Sequence, residues 1–255
     1  MILNHEINQN EHAKEKIPLV FIHGLFGSLS NLGMIARKFY KSHVVIQIDV
    51  RNHGYSPRSS EMDYLVMAQD ILDTLDLLEI EKFSVIGHSM GGKIAMQLTA
   101  QANERVEKIV VLDIAPIAYT ENHHDQIFKA LFAVQDAKIE TRLDATKIMR
   151  QYLDEEMVIQ FLMKSFHKGQ WLFNVEELFH HYTDILGWHN IQICHKEILF
   201  IRGGDSSYMS QDQHFQAVMH QFPNAQIKVI ENAGHWLHAE KPQQVIDEIS
   251  RYMEV

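Results

Sequence analysis

Cysteine is almost missing from this chain, with Cys194 the only one in 255 residues. No internal disulfide can form, so a reducing compartment is expected. The surrounding "IQICHKEILF" offers no obvious activating context, and Cys194 is read as an inert thiol rather than a nucleophile. Long apolar runs are missing too. None approaches the roughly 18 residues that a membrane-crossing helix needs. The opening "MILNHEINQNEHAKEK" turns polar and charged after its third residue, so no secretory signal is expected. These absences predict a soluble, cytoplasmic protein without stable membrane insertion. Positive charge is in deficit: 23 Lys and Arg stand against 33 Asp and Glu, a net −10, with no dense basic run. That excludes a general binder of nucleic acid or of anionic membrane, and leaves open a local pocket for an anionic ligand. Proline is scarce, at five residues, and no Pro/Gly-rich linker divides the sequence. With 46% hydrophobic residues, the chain reads as one well-cored unit of a length common in α/β folds.

What is present is an alternation. Short apolar runs at 17–24, 44–49, 83–88, 108–114, 197–203 and 226–231 read as strands, and several are continuously apolar and β-branched, as in strands buried on both faces. Amphipathic stretches separate them. One carries Leu65, Ala68, Ile71, Leu72, Leu75 and Leu78 on one helical face; others follow Ser89, run from about 211 to 222, and open on Pro242, a first-turn proline. Strand alternating with helix predicts a mostly parallel sheet covered on both sides. The alternation breaks once. Residues 118–195 show helical patterns ("DQIFKALFAV", "ATKIMRQYLDEEMVIQFLMKSF", "VEELFHHYTDIL") and no convincing strand. They read as a helical cap inserted into a core made of 1–117 and 196–255.

The segment "GHSMG" is G-x-S-x-G directly after a strand and directly before a helix, the context in which the pattern means a nucleophile. In so sharp a turn Ser89 is lifted off the sheet edge, and Gly87 and Gly91 avoid clashes that a Cβ would cause. A nucleophilic serine needs oxyanion donors and a base. "FIHGLFGS" passes close by, so the N–H groups of Leu25 and Met90 are the expected oxyanion hole, with His23 structural. The base is expected after the last strand, in "VIENAGHWLHAEKP": His235, preferred over His238 because "AG" permits a tight loop before it. Two aspartates compete for the acid. Asp205 follows the strand before the last, in a loose Gly/Ser-rich stretch. Asp113 follows four apolar residues, where a carboxylate wants a partner such as an imidazole N–H, and is preferred. The His123–His124 and His180–His181 pairs lack metal-ligand spacing. No metal site is expected.

Together "HGLFGS", "DVRNHGYSP", "GHSMGGK", "DIAP", "GGDS" and "AGHW.HAEKP" make the chain resemble the α/β-hydrolases with a helical cap, in particular the small bacterial esterases of the YbfF type. The resemblance covers nearly the whole length. It implies an eight-stranded sheet, a lid made from the insertion, and cofactor-free hydrolysis of a carboxylic ester or acyl thioester. It also implies that the aspartate of "DIAP", Asp113, serves as the acid. Asp49, Arg51 and His53 are read as holding the loops near the site. In the insertion, Phe128, Phe132, Phe161 and Trp188 are candidates to line an acyl pocket for a short or medium chain. Lys93, Arg37 and Arg58 are candidates for phosphate contacts should the substrate be an acyl-coenzyme A. The partner is then a small molecule; nothing in the sequence speaks to oligomeric state. Ser89 excludes dehalogenase and epoxide hydrolase chemistry, which needs a carboxylate nucleophile. A carbon–carbon bond hydrolase or lyase would keep the same triad, and a non-catalytic ligand-binding protein could keep the fold.

Overall fold

The strand–helix alternation closes into one sheet between two layers of helices, in a computed structural model that describes residues 1–9, 13, 16–120 and 124–254. In chain order the elements are β1 (His5–Asn8), β2 (Leu19–Ile22), α1 (Gly33–Phe39), β3 (Val45–Ile48), α2 (Tyr64–Leu77), β4 (Phe83–His88), α3 (Met90–Gln101) and β5 (Val106–Leu112). Then follow α4 (Asp125–Asp136), α5 (Arg142–Met149), α6 (Glu156–Met163), β6 (Phe166–His167), β7 (Gln170–Trp171), α7 (Val175–His180) and α8 (Tyr182–Leu186). The chain returns to the sheet with β8 (Ile198–Gly203), α9 (Asp212–Gln221), β9 (Ala225–Ile230), α10 (Leu237–Glu240) and α11 (Pro242–Met253).

The sheet has the order β1-β3-β2-β4-β5-β8-β9, parallel throughout except for β1, which pairs antiparallel with β3. Because side chains alternate across a strand, the central strands divide their apolar residues between two cores. Val20, Ile22, Ile46, Val85 and Val111 pack with α2, α3 and the inserted helices. Leu19, Phe21, Val45, Ile86 and Val110 pack with α1 and α11. Every strand of the parallel set therefore ends on the same edge, and the loops beyond β2, β4, β5, β8 and β9 converge there. That edge holds the site.

Four expectations change. The main sheet has seven strands among the described residues rather than eight, since the segment ahead of β2 contributes one strand, β1. The face of α2 is set by its start: Asp63 caps the helix by accepting from the Val66 N–H at 2.8 Å. Tyr64, Met67, Ala68, Ile71 and Leu75 then point inward, and Leu65, one position off that stripe, is 53% exposed. The long helical pattern at 145–166 breaks at 150–155, where the three acidic residues Asp154, Glu155 and Glu156 begin a new helix at the end the macrodipole favours for negative charge. Finally, the insertion is not wholly helical, because β6 and β7 pair as a two-residue hairpin. No helix among the described residues is long and apolar enough to cross a membrane.

Candidate active site

Ser89 sits between β4 and α3 with φ 51° and ψ −116°, a strained conformation for a residue with a Cβ. The turn closes only because its flanks are glycines: a Cβ on Gly87 would lie 2.1 Å from the Gly91 carbonyl oxygen, and one on Gly91 would lie 2.3 Å from that of Ile22. The Ser89 N–H is tied to the Leu112 carbonyl on the neighbouring strand at 2.9 Å. The side chain is thereby held above the sheet edge, half-buried.

One strand over, β5 ends and Asp113 takes φ 53°. Its carboxylate is fully buried and has three donors. The Gly203 N–H donates to Oδ1 at 2.9 Å, the Ser206 hydroxyl donates to Oδ2 in a short hydrogen bond, and His235 Nδ1–H donates to Oδ2 at 2.7 Å. The far ring nitrogen of His235, Nε2, accepts from the Ser89 hydroxyl at 3.0 Å. A carboxylate at Nδ1 fixes the tautomer that leaves Nε2 free to take a proton. Asp205 is not part of this line: its side chain is exposed, and its backbone N–H binds the Ala233 carbonyl.

The loop carrying His235 is fixed from below and from the side. His88 Nε2–H donates to the His235 carbonyl at 2.9 Å, and the Tyr208 ring stacks on the imidazole at 3.9 Å between centroids. His238 lies under His88, ring to ring at 4.3 Å, and does not reach Ser89. Burial, then the neighbouring His235, pushes His238 down to about 3, and burial, then His238 and His235, keeps His88 well below its ordinary value.

On the other side of Ser89 lies the loop after β2. Gly24 packs so close that a Cβ there would stand 3.4 Å from the Ser89 Cβ. Met90 is the first residue of α3, so its N–H has no carbonyl within the helix to bind. The loop with Leu25 is held by the "DVRNHGYSP" segment. His53 Nε2 accepts from the Phe26 N–H at 3.2 Å, Asp49 accepts from the Leu29 N–H at 2.7 Å, and His23 Nε2 accepts from the Val50 N–H at 3.0 Å. Arg51 is turned away, in a buried ion pair with Asp70 at 2.6 Å. Its guanidinium also donates to the Glu61 carbonyl at 2.6 Å, so all three residues read as a loop scaffold hold loops, and none of them lines the cavity over Ser89.

Residues 17–137 match the family described as "alpha/beta hydrolase fold". The chain is 51% identical over 245 residues, 96% of its own length and 95% of the relative's, to Esterase YbfF of Escherichia coli. The chain belongs to the α/β-hydrolase family. It is also similar to the sn-1-specific diacylglycerol lipase ABHD11 of Danio rerio, at 37% identity over 94% of this chain and 79% of that protein. A solved structure, a marine microorganism esterase, superposes with a TM-score of 0.90 at 32% identity and covers 98% of each chain.

In this hydrolase a narrow cavity, of about 30 Å³, opens over Ser89, with Leu25 and Phe26 on one side, His235 and Trp236 on the other, and Ile127, Val158, Phe161 and Leu162 of α4 and α6 as its roof. Of the four aromatic residues expected to line an acyl pocket, only Phe161 lines the cavities next to Ser89. Phe128 is 2% exposed and meets Phe26, Phe179 and Tyr182 edge-on or tilted. Phe132 packs on Phe179, and Trp188 packs on Tyr64. An insertion this small needs aromatics for its own core: Phe128 and Phe132 pack on Phe179 within it, while Trp188 docks it on Tyr64 of α2.

The cations expected for phosphate also go elsewhere. Lys93 is buried and bonded to backbone carbonyls; Arg37 is exposed on α1, and Arg58 is exposed beside Trp171 with no part in the Ser89 cavities. Cys194 is buried, with Asn103 as its contact at 3.8 Å. His124 bonds the Tyr182 hydroxyl, and His181 bonds Asp184 and the Ser60 carbonyl; His123 lies outside the described residues. No group of three His, Cys, Asp or Glu suited to a metal occurs among the described residues.

Sequence reasoning missed Ser206, Tyr208 and the bond from His88. Ser206 was one residue from the weighed Asp205, and the signal for it was indirect. A buried carboxylate on β5 needs several donors, and the strand beside β5 proves to be β8, whose trailing loop is "GGDSSY".

Proposed function

We propose that the chain is a serine esterase that hydrolyses carboxylic esters through an acyl-enzyme, with Ser89 as nucleophile, His235 as base and Asp113 as the acid that orients it. The observation that carries this reading is the unbroken line from Asp113 Oδ2 through the imidazole to Ser89 Oγ, at 2.7 and 3.0 Å. His235 takes the Ser89 proton as Oγ attacks the carbonyl, and returns it to the leaving oxygen as the tetrahedral intermediate collapses. The Asp113 carboxylate stabilises the imidazolium formed in between. The N–H groups of Leu25 and Met90, which have no hydrogen-bond partner among the described residues, receive the oxyanion. Water activated by His235 then frees the acyl group. Residues 118–195 act as the cap, roofing the cavity with Ile127, Val158, Phe161 and Leu162 and so excluding bulk water from the reacting centre.

The substrate is an ester of a short to medium acyl chain with an uncharged leaving group. Thioesters share the chemistry, but among the described residues Lys93 is the only Lys or Arg on the cavities that adjoin Ser89 and His235, and its ammonium is already bonded to two carbonyls. Coenzyme A phosphates would find no partner there. The test is hydrolysis of p-nitrophenyl esters from acetate to dodecanoate, with Ser89→Ala beside the parent and butanoyl-coenzyme A as a separate substrate. Turnover of the esters is expected to fall by about 10⁴- to 10⁶-fold in the variant. Turnover that persists in Ser89→Ala, or a parent that prefers the coenzyme A thioester, would refute the reading.

A further inference from the structure

Lys93 is not used by the chemistry above, yet it is 1% exposed and stands one helical turn after Ser89 on the same face of α3. We propose that Lys93 sets the acyl-chain length the site accepts, by clamping the root of the helical insertion as the back wall of the pocket beside Ser89. The proposal rests on the esterase reading.

The pocket comes first. A second, narrow cavity, of about 30 Å³, also touches Ser89, Leu25 and Met90, and its remaining walls include Tyr64, Ile114, Ile185 and Leu186. His235 is not among its lining residues; the leaving oxygen has to reach His235 Nε2, so the leaving group occupies the cavity shared with His235 and Trp236. The acyl chain, on the opposite side of the carbonyl carbon, is left with this second cavity. Its depth depends on where Ile185 and Leu186 sit.

The clamp decides that. Lys93 Nζ donates to the carbonyls of Leu186 and Gly187 at 2.9 and 2.7 Å. The Tyr64 hydroxyl donates to the Ile185 carbonyl at 2.5 Å, and the Tyr119 N–H donates to the Leu186 carbonyl at 3.0 Å. The segment where the insertion leaves the core and the segment where it returns thus meet around one ammonium, which also lies 5.4 and 5.0 Å from the Tyr64 and Tyr119 rings. The carbonyls it binds are among the last of α8, groups that a helix leaves without internal partners. Burial alone lowers Lys93 from its ordinary value to about 7. A side chain so costly to desolvate is explained by the carbonyls it satisfies, and an aliphatic residue of similar length would leave the Leu186 carbonyl with the Tyr119 N–H alone and the Gly187 carbonyl bare.

The experiment measures kcat/KM for p-nitrophenyl esters of four to twelve carbons with the parent, Lys93→Met and Leu186→Ala. Lys93→Met keeps the length of the side chain and removes its donors, so the back wall is released. The ratio of octanoate to butanoate kcat/KM is expected to rise at least about fivefold in Lys93→Met, and to rise in Leu186→Ala as well, because that change removes wall atoms without touching the clamp. A merely structural lysine would lower all chain lengths together. A ratio within about twofold of the parent in a folded Lys93→Met protein would overturn the clamp. Should Lys93→Met not fold, Leu186→Ala decides: an unchanged ratio there would overturn the assignment of this cavity to the acyl chain. A parent without Ser89-dependent turnover at any length would instead bring down the esterase reading and the inference with it.

Discussion

Asp113 and Asp205 lie just beyond the ends of the neighbouring strands β5 and β8, and their side chains do opposite things. Asp113 is buried under three donors, one of them the His235 imidazole; Asp205 faces solvent. Asp113→Asn is expected to lower kcat by about 10⁴-fold because an amide can hold His235 in the wrong tautomer. Asp205→Asn is expected to leave kcat nearly unchanged; stopped assays on the two purified variants check both, and the reverse ranking would reassign the acid. Ser206→Ala removes a hydroxyl from a buried carboxylate, an interaction of about 1.5–3 kcal/mol. Its expected signature is a kcat lowered about tenfold with KM held near the parental value. At this scale the sequence was legible where the chemistry is local. Ser89 was readable because strand, glycines and helix all lie within a few residues of it, and His235 because it sits in the loop beyond the last strand. Asp113 needed a weighing of two strand ends, and Ser206 was out of reach until β8 was known to lie beside β5.

The inserted helices rest on the loop after β2 through Phe26, a residue at φ 61° whose ring contacts Phe128 and Phe173 at 5.3 Å each, while the Ser165 hydroxyl donates to the Phe26 carbonyl. Disturbing that contact should therefore be felt as stability, whereas disturbing the roof of the cavity should be felt as substrate binding. Phe128→Ala is expected to cost about 3–5 kcal/mol in denaturant unfolding and leave the preferred acyl length unchanged. Phe161→Ala, at a partly exposed ring on the cavity roof, is expected to raise KM with a much smaller loss of stability. Urea melts read beside Michaelis curves separate the two. The helices themselves were legible from periodicity, since α4, α6 and α7 each carry an apolar stripe. Which aromatic residues face the substrate was not. Phe128, Phe132 and Trp188 differ from Phe161 only in which neighbour they meet, and that is set by how five short helices turn at 137–141, 150–155 and 164–174, where no pattern fixes the angle.

Across the whole molecule, four of the six histidines buried among the described residues pack ring to ring in two pairs, His23 with His53 and His88 with His238. Burial is the largest cause of depression in each; His53 and His238 are pushed down to about 3, and His23 and His88 lie below their ordinary value. The unfolded chain takes up these protons near pH 6.5 while the folded chain does not, so stability is fully present above that pH and is lost as pH falls from 6.5 toward 3. Each such group contributes up to roughly 1.4 kcal/mol of lost stability per pH unit inside the window. Urea midpoints measured from pH 7.5 to 4.5 are expected to fall steadily below pH 6.5, and His53→Leu is expected to flatten that slope by about one proton. A midpoint independent of pH over this range would contradict the assignment of neutral buried imidazoles. The parallel sheet was legible at this scale because its strands are apolar on both faces; the edge strand β1, with its half-buried "HEIN", carries no such signal, and only pairing with β3 makes it a strand.

The central claim, that Ser89 becomes acylated with the help of His235, is tested most directly by intact-protein and peptide mass spectrometry after brief exposure to a fluorophosphonate. The account predicts one adduct per chain, carried by the peptide that contains "FSVIGHSMGGK", absent from Ser89→Ala and formed far more slowly in His235→Ala. An unlabelled parent protein, or a label found on Cys194 or on any residue other than Ser89, would contradict it.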